Sequence, residues 1–514
     1  MASRLIHLAV AFGLSLLSFN ADAQDTTSTD WPSLEFRFTV KRNSMKIYGQ
    51  ADFSMFANPI TSGDGSNVRY DVFASFTEGE RDANYTQING IAYTSSIDST
   101  FTCMDSESDK LPPIDAIVKG VSEANNSGRI LQCSESFKAV VNGIPFALCA
   151  SKSGFSMIGQ DLDIVVKYLD NRVDILTPAP ALNCRTVSTP TYVTSIGKEL
   201  LTGVPDTTVE RNLKPQFDFN LGDDDSSGSS DSCECKSTKR PCLFIHGMGV
   251  EEEEADVVDS FSYYWGDLTD HAPCCSSFKY TVLNTVDNGW TNDTLQQQVC
   301  DRAVSVSKRS SKTVIADTII ITHSMGNLMV AGAIATGKCQ LDSSSTWVGM
   351  AGPMQGSRAS DFVQETCAGE TNFLLEKVAN VTGRCPPTVA LQSLPAQNGN
   401  YSSEELNQAY TAAQEAYSKN VSALMCSEGF SGLPSKYQAQ FWVLGNVVPY
   451  ESDQNDGMVE FASCAAGIPE SKFGDTWESK FYKTKLNHYD SEFLYGDALL
   501  DKKKMPIKWF ECLL

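Results

Sequence analysis

Two unbroken apolar runs in the second half of the sequence constrain the fold most strongly. Cys242–Ile245 and Thr318–Ile321 contain no alternating charged residues, which is typical of strands covered on both faces of a parallel sheet. The stretch Leu295–Val306 between them can form the crossover helix that parallel strands require. This order of strand, helix and strand predicts an α/β architecture with a mostly parallel sheet flanked by helices.

The first half of the chain follows a different pattern. Apolar and polar residues alternate over Leu34–Val40 and Val68–Phe76, with the period of two that half-buried strands show. Turn residues at Ser62–Gly65 and Asn142–Gly143 separate runs of this kind. We therefore expect an antiparallel, β-rich N-terminal domain with one helix around Ile114–Ala124.

An acidic segment separates the two patterns. Gly222–Asp231 consists only of Asp, Ser and Gly, so it has no apolar surface whose burial could offset the entropy lost on ordering. We predict a β-rich domain over residues 24–215, a linker over 216–240 and an α/β domain over 241–514.

The start of the chain predicts export. Residues 1–23 have the features of a secretory signal peptide, with Arg4 near the start, the apolar stretch Leu8–Leu17 and an Ala21–Ala23 cleavage pattern. No later stretch is long and apolar enough to cross a membrane, so we expect a secreted, extracellular protein. Glycosylation sequons agree with export and lie at Asn84, Asn125, Asn292, Asn380, Asn400 and Asn420.

Cysteine content and charge narrow the class further. Of the sixteen cysteines, four precede the acidic segment and twelve follow it, so each predicted domain can form its own disulfides in an oxidising compartment, about eight if all pair. Lys and Arg number 40 against 63 for Asp and Glu, a net charge of −23. Nucleic acids and anionic bilayers repel such a chain, so we expect no nucleic acid binding. The lack of a long apolar stretch leads us to expect no integral membrane association.

The sharpest motif follows the second apolar run. His323-Ser324-Met325-Gly326 precedes a predicted helix of small residues, Leu328–Ala335, which Gly337 can cap. A sharp strand–turn–helix connection exposes a serine hydroxyl above the sheet, as in the nucleophile elbow. The usual pattern is Gly-x-Ser-x-Gly, and Thr322 stands in place of its first glycine. Ser324 is the predicted nucleophile.

A second turn, His246-Gly247-Met248, follows the first apolar run. In hydrolases with this kind of sheet, a His-Gly turn at that strand end offers one backbone N–H to the oxyanion, and the residue after the nucleophile offers the other. The predicted oxyanion donors are therefore the backbone N–H groups of Met248 and Met325.

The general base is found by elimination among five histidines. His7 leaves with the predicted signal peptide, His246 occupies the oxyanion turn, and His323 adjoins the nucleophile. Since the order along the chain in this fold is serine, acid, histidine, His488 is predicted and His271 is not.

The acid that orients His488 is expected in a loop after a late strand. We predict that strand at Gln440–Val448, which is followed by Glu451, Asp453 and Asp456. Asp456 is our choice, and Asp453 remains the nearest alternative. Elsewhere, the aromatic residues Tyr263–Trp265 could line a pocket or pack in the core, and packing is the preferred interpretation.

Together these motifs resemble those of the secreted true lipases of bacteria. The resemblance runs through about residues 241–495 as a series of short motifs. It includes Gly352–Ser357 with Asp361–Val363, which look like the stretch that follows the strand next to the elbow strand in those lipases. It implies an α/β-hydrolase fold, a lipase or esterase acting on lipid or other carboxylic esters, and a mobile lid over an apolar acyl pocket.

The resemblance also implies a structural calcium ion near the catalytic histidine. Asp490 matches one ligand, two residues after His488, whereas no Asp or Glu in the stretch before the acid loop matches the other. We expect no cofactor, and a calcium ion near Asp490 is the alternative. Cys464 resembles a disulfide cysteine of the family, with Cys426 or Cys385 as its partner.

Two alternatives for function stay open. The same triad could act on a phospholipid or another acyl substrate, because a triad does not encode the leaving group. The chain could also be a non-catalytic extracellular binding or recognition protein on a hydrolase scaffold, with the β-rich domain as the binding part.

Overall fold

A computed structural model of the chain describes residues 31–78, 81–95, 101–104, 111–126, 133, 136–176, 184–205, 233–368, 385–433, 435 and 437–514. The predicted signal peptide with His7, the acidic segment 222–231 and the sequon at Asn380 lie outside the described residues. The domain boundaries proposed from the sequence stay a prediction.

The first sheet is antiparallel and lies in the N-terminal part of the chain. Its strands run in the order β6-β5-β4-β3-β2-β1-β11-β10-β9-β8-β7, and β12 pairs with β3. The strands and the two helices beside them are β1 Ser33–Val40, β2 Asp52–Thr61, β3 Asn67–Glu78, β4 Arg81–Ile88, β5 Ile91–Ser95, β6 Phe101–Met104, α1 Ile114–Ser122, β7 Asn125–Asn126, β8 Ser136–Val141, β9 Ile144–Ser151, β10 Gly154–Ile158, β11 Leu162–Leu169, β12 Thr191–Tyr192 and α2 Ser195–Thr202.

The alternating pattern of this region is confirmed in the packing. Leu34, Phe36 and Phe38 of β1 are fully buried, as a period of two on one covered face requires. Asn142 and Gly143 join β8 to β9 with φ values of 48° and 78°, the left-handed pair that a two-residue hairpin turn needs.

The second sheet is parallel, in the order β14-β13-β16-β18-β19-β20. A separate two-stranded pairing joins β15 and β17. The elements of this part are β13 Arg240–Ile245, α3 Ser262–Trp265, β14 Cys275–Tyr280, α4 Asp293–Ser305, β15 Val314–Ile315, β16 Ile319–His323, α5 Met325–Ala335, β17 Gln340–Leu341, β18 Thr346–Met350, α6 Arg358–Cys367, α7 Val389–Gln392, α8 Glu404–Asn420, β19 Val421–Ser427, α9 Gln438–Val447, α10 Phe461–Ala465, β20 Phe481–Thr484 and α11 Pro506–Leu513.

Both faces of the parallel sheet are covered, which is why its strands read as unbroken apolar runs. Leu243 and Ile320 lie in one buried cluster, together with residues of α4, α5 and α8. Phe244 and Ile321 lie in another on the opposite face, which includes Trp509 of α11. The predicted parallel sheet flanked by helices is therefore confirmed, as is the antiparallel sheet that precedes it.

One predicted strand is wrong. The stretch Gln440–Val448 belongs mostly to helix α9. Phe441, Leu444 and Val448 are buried together against α6, whereas Trp442 is 42% exposed. A spacing of three and four residues between buried positions is that of an amphipathic helix, and a short apolar run alone does not distinguish it from a strand.

The end of the chain packs on the antiparallel sheet. Leu499, Leu500 and Met505 belong to the same buried cluster as β1 and β11. Nearby, the buried Arg42 forms an ion pair with Glu511 of α11. The two sheets therefore share a buried interface through residues that precede or belong to α11.

Seven disulfides occur among the described residues, and each joins cysteines on the same side of the acidic segment. Cys464 pairs with Cys426, one of the two partners considered from the sequence. These bridges fit an oxidising compartment. Within the described part of the chain, no helix combines the length and apolar character needed to cross a membrane. The remaining bridges are Cys133–Cys149, Cys233–Cys512, Cys235–Cys274, Cys242–Cys275, Cys300–Cys339 and Cys367–Cys385.

Candidate active site

Three predicted side chains meet at the carboxyl edge of the parallel sheet. Ser324 directly follows β16, and His488 lies in the loop after β20. Ser324 Oγ is 2.8 Å from His488 Nε2, and His488 Nδ1 is 2.8 Å from Asp456 Oδ2. All three side chains are buried. The hydrogen-bonded order of serine, imidazole and carboxylate is thus present in the folded chain.

The backbone around Ser324 has the shape of a sharp elbow. Ser324 has φ 52° and ψ −129°, a conformation that non-glycine residues adopt only where the surroundings impose it. Its N–H donates to the Met350 carbonyl of β18 at 3.0 Å. A Cβ at Gly326 would lie 2.6 Å from the Ile245 carbonyl oxygen. The small residue after the elbow is therefore required by the close passage of β13.

Thr322 fits the elbow although a glycine is usual there. Its side chain is fully buried, and its hydroxyl donates to Asn327 Oδ1 at 2.6 Å. The same oxygen accepts from Trp347 Nε1 at 2.8 Å. The Asn327 amide also donates to the carbonyls of Ser324 and Met350. These hydrogen bonds of Thr322 and Asn327 thus stabilise the elbow.

The acid loop holds the imidazole in one orientation. Asp456 Oδ1 accepts the N–H groups of Met458 and Val459 at 2.9 and 2.6 Å, which leaves Oδ2 for His488. A carboxylate oxygen only accepts, so His488 Nδ1 carries the proton in this pair and Nε2 can accept from Ser324. The competing Asp453 is exposed and does not take this position.

Two backbone N–H groups lie beside Ser324 in the chain or in the cavity lining. Among the described residues no hydrogen bond occupies the N–H of Met248 or that of Met325. Met325 is the first residue of α5, where the helix dipole adds partial positive charge. Gly247 must stay small, because a Cβ there would lie 2.6 Å from Ser324 Cβ. The geometry leaves both predicted oxyanion donors available.

The other described histidines have structural partners. His246 is fully buried, and its Nε2 accepts the N–H of Leu283 at 3.0 Å. Burial lowers the pKa of His246 to about 4, so the ring is neutral. His271 lies 3.1 Å from Glu511 at the interface with the antiparallel sheet. Neither forms a hydrogen bond with Ser324 among the described residues.

Ser324 and His488 line an apolar cavity of about 360 Å³. Its volume is within the range of small-molecule binding pockets. Apolar lining residues include Met248, Leu391, Leu394, Leu444 and Met458. Within the described part of the chain, no residue of the antiparallel sheet lines this cavity, and no Lys or Arg does.

Sequence reasoning missed part of the site. Tyr264 lines the cavity and Trp265 packs in the core, so both interpretations of that aromatic stretch apply. Glu492 also lines the cavity, and its Oε1 is 3.6 Å from His323 Nδ1. Burial raises the pKa of Glu492 well above its ordinary value. No motif or spacing signalled Glu492, because its position depends on how the loop after His488 packs.

Asp490, which matches a calcium ligand in the resemblance, is fully buried. Its Oδ2 accepts the Leu433 N–H at 2.6 Å, and its buried Oδ1 has no hydrogen-bond partner among the described residues. Burial raises the pKa of Asp490 to about 7. Among the described residues no group of three acidic, histidine or cysteine side chains could hold a metal ion. Calcium also takes backbone carbonyl and water oxygens, so the calcium ion near Asp490 stays the alternative to no cofactor.

Three solved structures that are similar to this chain match only about half of it. No protein-family model and no curated protein matches the sequence. Among solved structures, similarity extends to the mature lipase BlEst2 of Bacillus licheniformis, at 14% identity over 52% of this chain and 91% of that one, with a TM-score of 0.32. The Staphylococcus hyicus lipase is similar at 15% identity over 54% of this chain and 94% of that chain, with a TM-score of 0.30.

A third similarity is to lipase 1 from Pelosinus fermentans, at 13% identity over 54% of this chain and 97% of that chain, with a TM-score of 0.28. At these identities and TM-scores the similarities do not assign a function to this chain. What it can do chemically has to be judged from its own site.

Proposed function

We propose that the chain is an exported serine hydrolase of the α/β-hydrolase class that cleaves carboxylic esters, as a lipase or esterase. The observation that carries the proposal is the hydrogen-bonded line Ser324–His488–Asp456 beside an apolar cavity. A serine hydroxyl is a weak nucleophile until a positioned base accepts its proton. The line supplies that base and the acid that orients it.

In the proposed reaction, Ser324 Oγ attacks the ester carbonyl carbon while His488 Nε2 takes the hydroxyl proton. The N–H groups of Met248 and Met325 stabilise the oxyanion. His488 then donates its proton to the leaving alcohol, and an acyl-enzyme remains. Water, activated by the same imidazole, releases the acyl group. Asp456 keeps the imidazole tautomer and stabilises its charged form.

The lining of the cavity favours an uncharged ester with an apolar acyl chain. Apolar side chains dominate the lining, and no described cationic side chain is present to pair with a phosphate or carboxylate. Burial raises the pKa of Glu492 well above its ordinary value. Because a neutral carboxyl carries no charge, Glu492 does not favour a cationic substrate. A phospholipid or another acyl substrate remains the first alternative.

We also propose that the chain is exported and that it needs no cofactor. Seven disulfides on the described residues support an oxidising compartment. The proposed steps use side chains and backbone groups only, so we propose that no cofactor takes part. The antiparallel sheet is not proposed to cover the substrate cavity, because no described residue of that sheet lines it.

The test is hydrolysis by the purified chain of p-nitrophenyl butyrate, p-nitrophenyl palmitate and phosphatidylcholine. Preference for the short ester supports an esterase, preference for the long ester supports a lipase, and release of fatty acid mainly from phosphatidylcholine supports a phospholipase. If none is hydrolysed, the proposal fails and a binding protein on a hydrolase scaffold becomes the better explanation.

A further inference from the structure

Tyr264 connects two turns of the candidate site. Its hydroxyl oxygen accepts the Gly247 N–H at 2.8 Å, and the same oxygen is 2.6 Å from His323 Nδ1. Gly247 directly precedes Met248 in the oxyanion turn, and His323 directly precedes Ser324. The phenol is buried.

His323 connects the elbow to the loop of the proposed base. Its Nε2 is 3.0 Å from the backbone carbonyl oxygen of His488. A carbonyl only accepts, so Nε2 carries the proton and Nδ1 is left as the acceptor. The Tyr264 hydroxyl therefore donates to Nδ1. Burial, together with the neighbouring His488, holds the pKa of His323 well below its ordinary value, which keeps the ring neutral.

The hydrogen bonds form one directed chain, and the Glu492 side chain is a further hydrogen-bond partner of Tyr264. The Gly247 N–H donates to Tyr264, Tyr264 donates to His323, and His323 donates to the His488 carbonyl. The chain crosses from the turn after β13, through the elbow after β16, to the loop after β20. Each donor in it has an acceptor, so all three segments are held at fixed distances from one another.

We propose that Tyr264 and His323 are positioning residues that set the oxyanion turn and the His488 loop relative to Ser324. This inference rests on the proposed ester hydrolysis. A displacement of about 1 Å in a site of this kind can lower the rate about a hundredfold. Loss of the hydrogen-bond chain should therefore lower kcat, whereas the acyl cavity and KM should change little.

The test substitution is Tyr264→Phe, which keeps the ring that lines the cavity and removes only the hydroxyl. We expect kcat for p-nitrophenyl butyrate to fall by about ten- to a hundredfold, with KM within about twofold of the original chain. The matched control is Tyr417→Phe, since the Tyr417 hydroxyl is also buried but has no hydrogen-bond partner among the described residues. Its kcat should be unchanged.

A second variant, His323→Gln, covers the case in which Tyr264→Phe does not fold. It should lower kcat to a similar degree, and in the double variant the two effects should not multiply, because either change breaks the same chain. If the original chain hydrolyses the ester and the folded variants keep kcat within about twofold, the positioning role is wrong. If the original chain hydrolyses no ester, the proposed function fails instead.

Discussion

The two sheets of the molecule differ in how they bring distant residues together. In the parallel sheet every strand ends at the same edge, so Ser324 and His488 meet although they lie 164 residues apart in sequence. In the antiparallel sheet successive strands return beside each other, as in β2 to β6, and their ends alternate between two edges. Convergence of remote loops at one edge is thus a property of the parallel sheet.

The antiparallel sheet has a different relation to the site. It contacts the end of the chain through Leu499, Leu500 and Met505, beyond the loop that holds His488, and no described residue of it lines the cavity. We infer that chemistry depends on the parallel sheet, whereas the interface contributes mainly to stability. The following substitutions test that division, from the largest expected effect to the smallest.

The largest expected effect comes from His488→Ala. Removal of the general base should lower kcat by about 10⁵- to 10⁶-fold, measured with p-nitrophenyl butyrate. The matched control is His271→Ala, which removes a histidine from the interface contact with Glu511. It should leave kcat within about twofold. A large loss of turnover in the control would contradict the division between the two regions.

Asp456→Asn should lower kcat by about 10⁴-fold, because an amide in place of the carboxylate favours the wrong tautomer of His488. Asp453→Asn, three residues earlier in the same loop, should have little effect, since Asp453 is exposed. Steady-state kinetics of the two variants decide the assignment. The reverse ranking of these variants would identify Asp453 as the acid.

Arg42→Ala should affect stability and not chemistry. It breaks a buried ion pair with Glu511, and removal of one partner of a buried pair costs about 3 kcal/mol in the free energy of unfolding. Glu511 keeps its contacts with His271 and with the Cys233 N–H. Arg37→Ala is the control, because Arg37 is 56% exposed and lies 3.9 Å from an equally exposed Asp52. It should cost less than about 1 kcal/mol. A loss of kcat in folded Arg42→Ala protein would argue against a purely stabilising interface.

No effect is expected from metal removal. The proposed reaction uses only side chains and backbone groups of the chain, so dialysis against EDTA should leave both kcat and the thermal midpoint unchanged. A fall that added calcium reverses, and magnesium does not, would show that a calcium site exists.

Part of the candidate site can be predicted from the sequence. Ser324 was predictable because the elbow is a local feature, formed by an apolar strand, small residues and a helix start. His488 followed from the scarcity of histidines and from chain order. Thr322 departs from the usual elbow pattern, yet it fits because Asn327 and Trp347 bind its hydroxyl. Asn327 lies directly after the motif, whereas Trp347 is 25 residues away from Thr322, and no local pattern indicates its contact.

Other parts depend on tertiary packing. The stretch Gln440–Val448 was predicted as a strand, but contact with α6 selects a helix. Tyr264 and Glu492 belong to segments more than two hundred residues apart, and neither has a periodic pattern that points to the other. The packing of Leu499 on the antiparallel sheet likewise depends on how the two parts of the chain dock.

The most direct measurement is covalent labelling of the purified chain with a fluorophosphonate, followed by mass spectrometry of its peptides. We expect one modified residue, Ser324, and loss of labelling in Ser324→Ala and in His488→Ala, while His271→Ala is labelled as fast as the original chain. Labelling that persists in Ser324→Ala, or an original chain that is hydrolytically active but modified at another serine, would contradict the proposed role of Ser324.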